Sequence, residues 1–536
     1  MAWYNTTAIY QIYPRSFYDS NGDGIGDLQG IIQKLDYIKD LGFETIWISP
    51  FYASPQQDFG YDISDYKTIA PEYGTLQDAE QLIEEIHNRG MKIVFDMVMN
   101  HTSDQHPWFL ESKSSKDNPK ADWYIWRDRP NNWKSIVGPK GWHFCKERNQ
   151  YYFASFLPFQ PDLNYRNPEV KRAMFDICRF WLGKGVDGFR LDIFNCILKD
   201  AEFRDNPFSL LHAFPSEEHP GGNFQLRKYS VNHEDNFGLA KELRRVVDEF
   251  QPSRLLLGEV FGKHHLKKQY LGERQDGLHL IFLFDITMFR FNARFFRSKI
   301  EEYEREYPAP YTPTIVFSNH DQMRSIQRIG NNPEKAKLLA LLQYTMRGVP
   351  TVYYGEEIGM ENVYIPIKEG KDPMCKTYSW VPQWLADRLP VAINRDVCRT
   401  PMQWDASRHA GFSTANTTWL PVHTNYAVCN VAAQQQDTSS LLSIFKQLNA
   451  LRRQYAALQE GSIEILPTGH KHLLAYTRTH KDQTLLVLLN FGAERINQLQ
   501  LPHGKKEILF SLQFDAPFNN SLEGLDGVIL LLDKSL

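Results

Sequence analysis

The chain has 536 residues, of which 42% are hydrophobic and 13% aromatic, and its formal net charge is −4 at pH 7. This length exceeds one ordinary domain, although an α/β barrel with insertions fills most of it. Acidic and basic residues are interspersed, so the charge pattern does not indicate binding to nucleic acid or to an anionic membrane. No run reaches about 18 consecutive apolar residues, so we expect no transmembrane helix.

The N-terminus and the cysteines predict a cytoplasmic protein. The first residues, Met1-Ala2-Trp3-Tyr4, lack the charged and apolar regions of a signal peptide. The cysteines are scattered without the spacing of metal ligands, so we expect free thiols in a reducing compartment. They number six and occupy positions 145, 178, 196, 375, 398 and 429.

Strand-like runs alternate with helical patterns over the first three-quarters of the chain, which predicts a parallel α/β architecture. Helices are predicted at residues 28–41, where Gly42 is a stop signal, at 76–89 and at 440–455. Eight strands are predicted, at residues 8–13, 44–49, 91–98, 186–192, 255–259, 278–285, 314–318 and 350–354. This number of parallel strands closes a TIM barrel, whose active site lies at the C-terminal strand ends.

Two long insertions interrupt the alternation. Residues 102–165 are rich in Trp, Pro, Asn and Lys, and residues 360–394 are also irregular; aromatic content favours ordered loops beside a pocket. Short strands at residues 473–478 and 484–489 predict a separate antiparallel domain. The predicted domains are a barrel of residues 1–101 and 166–458, an inserted domain of residues 102–165 and a β-sandwich-like domain of residues 459–536.

Residues 188–192 (GFRLD) place an arginine two positions before an aspartate at a strand end. Residues i and i+2 of a strand face the same way, so Arg190 and Asp192 project together. A fixed cation keeps a carboxylate ionised, as a carboxylate nucleophile requires. An isolated pair of this kind is usually a surface ion pair. Here, however, further polar motifs end other strands: residues 96–101 (DMVMNH), 257–259 (LGE) and 317–321 (FSNHD).

Taken in order, these four segments resemble the conserved regions of glycoside hydrolase family 13, the α-amylase superfamily. The resemblance begins at residues 9–17 (IYQIYPRSF), includes residues 160–164 (QPDLN) and covers nearly the whole chain. Residues 60–66 (GYDISDY) and 399–404 (RTPMQW) are more similar to the oligo-1,6-glucosidase and α-glucosidase branch than to endo-amylases. The resemblance implies a TIM (β/α)8 barrel in which residues 102–165, after strand three, are the B domain that walls the active site.

The resemblance also implies roles for three carboxyl groups. Asp192 is the nucleophile and Glu259 the acid/base of a retaining reaction, which requires two such groups. Arg190 is expected to lower the pKa of Asp192, whereas the apolar strand before Glu259 leaves that carboxyl less solvated and raises its pKa. Asp321 resembles the third carboxylate of the family, which grips two sugar hydroxyls. For either Asp192 or Glu259 alone, a structural ion pair is the alternative.

Further residues resemble those that hold the first sugar. His101 and His320 would donate hydrogen bonds to it, and Tyr61 would stack on its ring. Asp58 would bind the hydroxyls of its non-reducing end. Arg395, preferred over Arg399, resembles the partner of Asp58, and their pair would close the far end of the sugar site and force exo action. Pocket-lining residues are expected at Phe156 and Gln160, and supporting carboxylates at Asp96 and Asp162.

Residues 19–27 (DSNGDGIGD) carry oxygen ligands at alternating positions and a glycine for the turn, which is typical of a hard-cation loop. The segment resembles half of an EF-hand and the calcium loop after the first barrel strand in this enzyme branch. A structural calcium ion, with magnesium as the alternative, is expected there; an ordinary solvent-exposed turn is the other interpretation. The expected ligands are the side chains of Asp19, Asn21, Asp23 and Asp27 and the carbonyl of Ile25.

The expected function is that of a cytoplasmic, retaining, exo-acting α-glucosidase that removes terminal glucose from short α-glucosides. In the branch, valine after the nucleophile accompanies α-1,6 preference and threonine or alanine α-1,4 preference. The residue here is Ile193, so both linkages stay open. Sucrose-active and glucosyl-transferring relatives share the catalytic residues and are alternatives. A non-catalytic amylase-like protein is disfavoured, because the three carboxylates are present. The oligomeric state is not predicted.

Overall fold

A computed structural model describes residues 2–386, 393–499, 506–513 and 519–532, with the side chain of residue 506 excepted. Residues 387–392 of the predicted loop 360–394 lie outside the described residues. The same is true of residues 500–505, 514–518 and 533–536 of the predicted C-terminal domain.

Eight parallel strands form one sheet in which each strand lies beside its neighbours in the chain and the first lies beside the eighth. Between the sixth and seventh strands, the Thr314 hydroxyl donates to the Ile281 carbonyl (2.9 Å) and accepts from the Leu283 amide (3.1 Å). These bonds close the ring, so the predicted (β/α)8 barrel is confirmed. The strands are Ile9–Ile12, Thr45–Ile48, Lys92–Val98, Gly188–Asp192, Leu255–Gly258, Leu280–Ile281, Thr314–Val316 and Val349–Tyr353.

The predicted single helix at residues 28–41 is wrong in one respect. It is two helices, Leu28–Gln33 and Leu35–Leu41, separated by Lys34 at φ −106° and ψ 5°. Apolar side chains on both helices pack into the same core, so the apolar spacing continues through the break and did not reveal it. Gly42 ends the second helix at φ 91°, as its position predicted.

Amphipathic helices cover the outside of the barrel. Leu76–Asn88 shows why they form: Thr75 and Asp78 make a reciprocal cap, and the helix buries Ala79, Leu82, Ile83 and Ile86 against the sheet. The other α-helices are Pro107–Ser114, Pro168–Gly183, Asp235–Val247, His264–Leu271, Ala293–Glu306, Ser325–Arg328, Pro333–Thr345, Pro373–Thr377, Gln383–Ala386, Val431–Gln435, Leu441–Gln454 and Ala456–Gln459. No helix of the described ranges is long and apolar enough to cross a membrane.

Smaller sheets are attached to the barrel. Tyr52–Ala53 pairs with Asp65–Ile69, and within residues 102–165 Trp126–Arg127, Gln150–Phe153 and Trp142–Cys145 form a three-stranded sheet. The C-terminal strands form one five-stranded antiparallel sheet. One face of it joins the core around the barrel, and the other packs on a second apolar cluster. These strands are Ser462–Leu466, Leu473–His480, Gln483–Asn490, Lys506–Ser511 and Gly527–Leu532.

The barrel interior is filled with apolar side chains, so it is a packed core with a site at one end. Alternate residues of the strands, among them Ile9, Trp47, Val94 and Leu257, form this inner cluster. The strand residues that follow toward the C-terminal ends include polar side chains that the motifs identified, among them Asp96, Arg190 and Asp192.

Candidate active site

Strand register gathers three acidic side chains around Arg190. Arg190 lies opposite Asp96 on the third strand, and Asp192 lies opposite Val98. The guanidinium is fully buried and donates to Asp96 (2.8 and 3.0 Å) and to Asp192 (2.7 Å). It also donates to Glu259, which follows the fifth strand. One cation therefore holds the predicted nucleophile and the predicted acid/base at adjacent strand ends.

Burial raises the pKa of Asp192 and of Glu259, although Arg190 opposes the shift in both. The expectation that Arg190 depresses the pKa of Asp192 is wrong in its net direction, because one guanidinium is shared among three buried carboxylates. The two carboxyl groups also hydrogen-bond to each other, which lowers the pKa of Asp192 and raises that of Glu259. Their mutual interaction therefore favours a proton on Glu259 and an ionised Asp192, in line with the roles that the sequence predicts.

Tyr61 and His320 form a stacked pair beside these carboxylates. Their rings are 5.4 Å apart and nearly parallel, at 2°. Burial lowers the pKa of His320 to about 3, so its imidazole is neutral. The Gln11 amide lies 2.8 Å from Nδ1, and as a donor there it leaves the proton on Nε2. That nitrogen lies 2.6 Å from the Tyr61 hydroxyl, which in turn donates to Asp96 (3.1 Å).

His101 lies on the other side of Tyr61. Its Nε2 is 3.2 Å from the Tyr61 carbonyl, and its Nδ1 is 3.2 Å from the Asn100 amide. Burial lowers the pKa of His101 to about 4, so it is also neutral. The half-buried ring of Phe156 lies 5.8 Å from the His101 ring and brings the inserted domain to the edge of the site.

Arg395 closes the far end of the site. Its NH2 group contacts Asp58 at 2.7 Å, and Gln160 donates to the other oxygen of Asp58 at 2.9 Å. Arg399 instead contacts Asp321 at 2.9 Å. Of the two arginines considered, Arg395 is therefore the partner of Asp58, although 337 positions separate the two residues in the chain.

Asp321 is bound by two arginines on one oxygen and faces the His320 ring on the other. Arg395 contacts the same oxygen as Arg399, at 3.0 Å, and His320 lies 3.1 Å from the other oxygen. Burial alone would raise the pKa of Asp321, but its neighbour His320 and the charges of Arg395 and Arg399 outweigh burial and hold the pKa below its usual range. Asp321 is therefore an anion at every working pH, and it could not serve as the proton donor.

The residue after the predicted nucleophile is held in an unusual conformation. Ile193 has φ 36° and ψ 46°, in the left-handed region that β-branched residues rarely adopt. Such a conformation costs about 1–3 kcal/mol and persists only where its surroundings impose it. The Ile193 amide lies 3.4 Å from Glu259, so this turn sits between the carboxyl groups of Asp192 and Glu259.

A buried ion pair fastens the inserted domain to the barrel. Lys199 lies 2.6 Å from Asp162, and both side chains are buried. Asp162 also accepts hydrogen bonds from the Ser155 amide (2.9 Å) and hydroxyl (2.5 Å), and it pairs with His101 in an isolated β-bridge. Asp162 is thus placed as a support beneath Phe156 and Gln160, with no direct contact to the carboxylates of the site.

The loop of residues 19–27 folds as a series of Asx turns. Asp19, Asn21 and Asp23 each accept the backbone amide two residues further on, at 3.1, 2.9 and 2.8 Å. Asp27 caps the helix that follows. Among the described residues, the aspartates of this loop do not belong to a compact group of three His, Cys, Asp or Glu side chains that could hold a metal ion. A cation here would therefore need Asn21 and the Ile25 carbonyl as well.

Two contributors were missed by the sequence motifs. Gln11 orients His320, and its polar character within a buried apolar strand was the available signal. Asp372 is fully buried against Arg395. Its position before a proline indicates a helix N-cap, which it is, but nothing local indicates the arginine.

Comparison with known proteins agrees with this geometry. A family model described as the α-amylase catalytic domain matches residues 11–461. An oligo-1,6-glucosidase of Parageobacillus thermoglucosidasius is 38% identical over 545 residues, which cover 95% of this chain and 94% of that protein. The crystal structure of the α-glucosyl transfer enzyme XgtA has a TM-score of 0.89 at 36% identity and covers 99% of this chain and 100% of its own. Trehalulose synthase MutB from Pseudomonas mesoacidophila MX-45 has a TM-score of 0.90 at 32% identity, with 99% and 100% coverage. The chain is therefore an enzyme that belongs to the α-amylase family of glycoside hydrolases.

Proposed function

We propose that the enzyme is a retaining, exo-acting α-glucosidase that removes glucose from the non-reducing end of short α-linked oligosaccharides. The observation that carries the proposal is the pairing of Asp192 with Glu259 on one buried arginine, in a site whose far end is closed by Asp58 and Arg395. Its substrates are small α-glucosides, as the names of its relatives indicate.

In the first step, a carboxylate oxygen of Asp192 forms a bond to the anomeric carbon of the terminal glucose. The glycosidic bond breaks, and Glu259 gives its proton to the departing oxygen. Glu259 is suited to this role because burial and its hydrogen bond to Asp192 raise its pKa. The products of the step are a glucosyl-enzyme ester and the shortened sugar.

In the second step, Glu259 acts as a base. It takes a proton from water, whose oxygen attacks the anomeric carbon, and the ester bond to Asp192 breaks. Two inversions leave the glucose with its original α configuration, and both carboxyl groups return to their starting states. Arg190 contacts both residues and is therefore placed to compensate their changing charge.

The ring of the terminal glucose is held from several sides. Tyr61 presents its ring for stacking. His101 and His320 are neutral imidazoles with one N–H donor each, which would exchange its contact with Tyr61 for a sugar hydroxyl. Asp321, kept anionic by its cationic neighbours, accepts from sugar hydroxyls. Phe156 and Gln160, from the inserted domain, line the opening.

Glucosyl transfer is the second candidate function. The α-glucosyl transfer enzyme XgtA and trehalulose synthase MutB both share the fold over the full chain. A sugar hydroxyl can replace water in the second step without any change in the catalytic residues, so both reactions use the same glucosyl-enzyme. The α-1,4 and α-1,6 linkages both remain candidates for cleavage, because Ile193 matches neither pattern of the branch.

The function is tested by following products from maltose, isomaltose, sucrose, trehalose and soluble starch over time. We expect rapid release of single glucose units from disaccharides and poor cleavage of starch. NMR of the first product should show α-glucose, since retaining carboxyl pairs lie about 5–5.5 Å apart in the reacting complex. Initial β-glucose would overturn the mechanism, a ladder of internal starch fragments would overturn exo action, and larger transfer products would favour the second candidate.

The proposal includes a structural calcium or magnesium ion in the loop of residues 19–27. Every side chain of the set offers oxygen, the donor that a hard cation prefers, and the Asp23 carboxylate accepts one hydrogen bond, from the Ile25 amide. Each oxygen of Asp19 accepts two hydrogen bonds, so Asp19 would exchange some of them for the ion. Asp19, Asn21, Asp23 and Asp27 would bind through side chains and Ile25 through its carbonyl. Bound there, the ion would tie the loop to the barrel without taking part in the chemistry.

We also propose a cytoplasmic location. The six cysteines support it: all are unpaired, and five of them are buried. Free thiols of this number fit a reducing compartment better than an oxidising one. Cell fractionation with the tagged chain tests this point, and recovery of the protein outside the cytoplasm would contradict it.

A further inference from the structure

Asp372 is a buried carboxylate that grips Arg395 from behind. Its two oxygens accept from Nε and NH2 of the guanidinium, each at 2.8 Å, which is a bidentate ion pair. The Arg395 backbone amide also donates to Asp372 (2.8 Å), as does the amide of Met374 (3.0 Å). The carboxylate is thus fixed by its own loop and in turn fixes the plane of the guanidinium.

Arg395 uses its other donors toward the sugar site. Its NH2 group also reaches Asp58 (2.7 Å), and its NH1 group reaches Asp321 (3.0 Å). The side chain of Asp372 is 0% exposed, whereas that of Asp321 is 29% exposed. Asp372 therefore cannot touch a sugar, whereas Asp58 and Asp321, at the other edge of the guanidinium, face the sugar site.

The contact with Asp372 keeps Arg395 in one orientation. Arginine has a long flexible side chain, and Asp58 and Asp321 must both be free to exchange contacts when a sugar enters. A partner that holds the Nε edge keeps the guanidinium in place during that exchange, because a planar fork bound at one edge is pre-organised at the other.

We propose that Asp372 is the positioning residue that holds Arg395 across the end of the pocket and thereby sets the rejection of glucosides substituted at O4 of the terminal glucose. The inference rests on the proposed exo-acting function, in which this end of the pocket receives the non-reducing end. Without Asp372, Arg395 is free to swing aside, and a substituent at O4 gains room.

The test compares 4-nitrophenyl α-glucoside with its 4-O-methyl ether in wild type and in Asp372→Asn. The asparagine keeps the shape of the side chain but loses the charge and one acceptor. For the unblocked substrate, we expect KM to rise about tenfold with a smaller change in kcat, because Arg395 contacts the sugar in both ground and transition states. Relative activity on the blocked substrate should rise by a similar factor.

Asp396→Asn is the matched control. Asp396 is buried in the same loop and accepts the amides of Lys371 (2.5 Å) and Asp372 (3.0 Å), and no contact joins its side chain to Arg395. If Asp372 matters only for loop stability, both variants will lower the melting temperature. The ratio of activity on the blocked substrate to activity on the unblocked substrate will then be the same in both variants. We expect the ratio to change only in Asp372→Asn.

A double-mutant cycle with Arg395→Ala completes the test. If Asp372 acts through Arg395, the double variant will show the same ratio as Arg395→Ala alone, whereas independent action gives additive changes and refutes the proposal. Asp372→Glu keeps the charge on a side chain one methylene longer, which displaces the guanidinium edge that Asp372 holds, and it serves if the asparagine variant does not fold. A wild-type ratio in it, with unchanged KM, also refutes the proposal. Efficient cleavage of the blocked substrate by wild type would instead refute the closed pocket, and so the proposed function.

Discussion

At the scale of single residues, the site is governed by a shortage of positive charge around Arg190. Three carboxylates contact one guanidinium, and all four groups are buried. One cation cannot neutralise three carboxylates, so the site favours a proton on the proposed catalytic pair, Asp192 and Glu259. The same residue holds both groups in position, which makes Arg190→Lys a poor substitute: a lysine cannot make the separate contacts of a planar fork.

Asp192→Asn should abolish turnover, because an amide cannot form the glucosyl ester. We expect kcat on 4-nitrophenyl α-glucoside to fall by at least about a thousandfold, which corresponds to ~4 kcal/mol of transition-state stabilisation. Circular dichroism and the melting temperature should remain close to wild type. Asp117→Asn, on the exposed surface, is the control and should keep full activity. Near-wild-type turnover in Asp192→Asn would refute the assignment.

The pH–rate profile should reflect the raised pKa values. Activity needs Asp192 ionised and Glu259 protonated, so kcat/KM should fall as rising pH removes the proton of Glu259 and as falling pH protonates Asp192. Because burial raises both pKa values, the optimum should lie at a higher pH than ordinary carboxyl groups would give.

Glu259→Gln offers a check on the alkaline limb. A 2,4-dinitrophenyl glucoside has a leaving group that needs no protonation, so the variant should still form the glucosyl-enzyme. The alkaline fall should then disappear from the rate of that first step, measured as a burst of dinitrophenol. An unchanged alkaline limb in this variant would assign the titration to another group.

At the scale of elements, short rigid strands place the chemistry and long loops close the site around it. The strand that carries Arg190 and Asp192 has five buried residues, whereas Arg395 and Asp372 come from a loop region after the last barrel strand. Strand ends fix angles and distances, and the loops supply the contacts that exclude longer chains. This division follows the rule for TIM barrels, where loop variation sets specificity.

The loop of residues 19–27 gives a prediction at this scale. Removal of the proposed cation with EDTA should lower the melting temperature, and calcium or magnesium should restore it, because an ion that binds only the folded state stabilises it by about 2.7 kcal/mol at a hundredfold excess over Kd. Asp23→Ser should abolish this response. Asp117→Asn should respond as wild type does.

Two results would reduce the loop to an ordinary turn: a melting temperature unaffected by EDTA, and metal analysis of the purified protein that finds no divalent ion. The distinction between calcium and magnesium comes from which ion restores the melting temperature at the lower concentration. Magnesium demands near-ideal octahedral geometry, and calcium accepts more ligands at longer distances.

At the scale of the whole molecule, a buried arginine joins the C-terminal sheet to the barrel. Arg478 is fully buried and donates to the carbonyls of Thr345 (2.7 Å), Met346 (2.9 Å) and Gly461 (2.9 Å). Burial without a carboxylate contact lowers its pKa to about 9. The sheet is therefore held by directed bonds to the end of a barrel helix as well as by apolar packing.

Arg478→Met should lower the stability of the enzyme without changing its chemistry. Three buried carbonyls lose a charged donor, which costs about 3 kcal/mol and lowers the melting temperature measured by calorimetry at a fixed scan rate. Activity per folded molecule should stay at the wild-type value, because the hydrogen bonds of Arg478 go to Thr345, Met346 and Gly461 and not to residues of the active site. Arg495→Met, at an exposed position, is the control. A wild-type melting temperature in Arg478→Met would show that packing alone holds the sheet.

Much of the fold could be predicted because its signals are local. All eight barrel strands were located from apolar runs, and the sixth was overestimated: the run at residues 278–285 is a strand only at Leu280–Ile281, and a 3-10 turn follows at Phe284–Met288. The break at Lys34 escaped notice because apolar spacing continues through it. Apolar patterns report which face is buried and do not report where backbone hydrogen bonding stops.

What the sequence alone determined is which side chains meet at the strand ends. Alternation along a strand makes Arg190 and Asp192 neighbours, and the motifs mark Glu259 and Asp321 at the ends of other strands of the same barrel. Only the tertiary structure decided how their charges balance. Arg190 is shared among three carboxylates, so burial outweighs it and the pKa of Asp192 rises. It also decided that Arg395 spans Asp58, Asp321 and Asp372, because such contacts depend on loop paths that local chemistry does not encode.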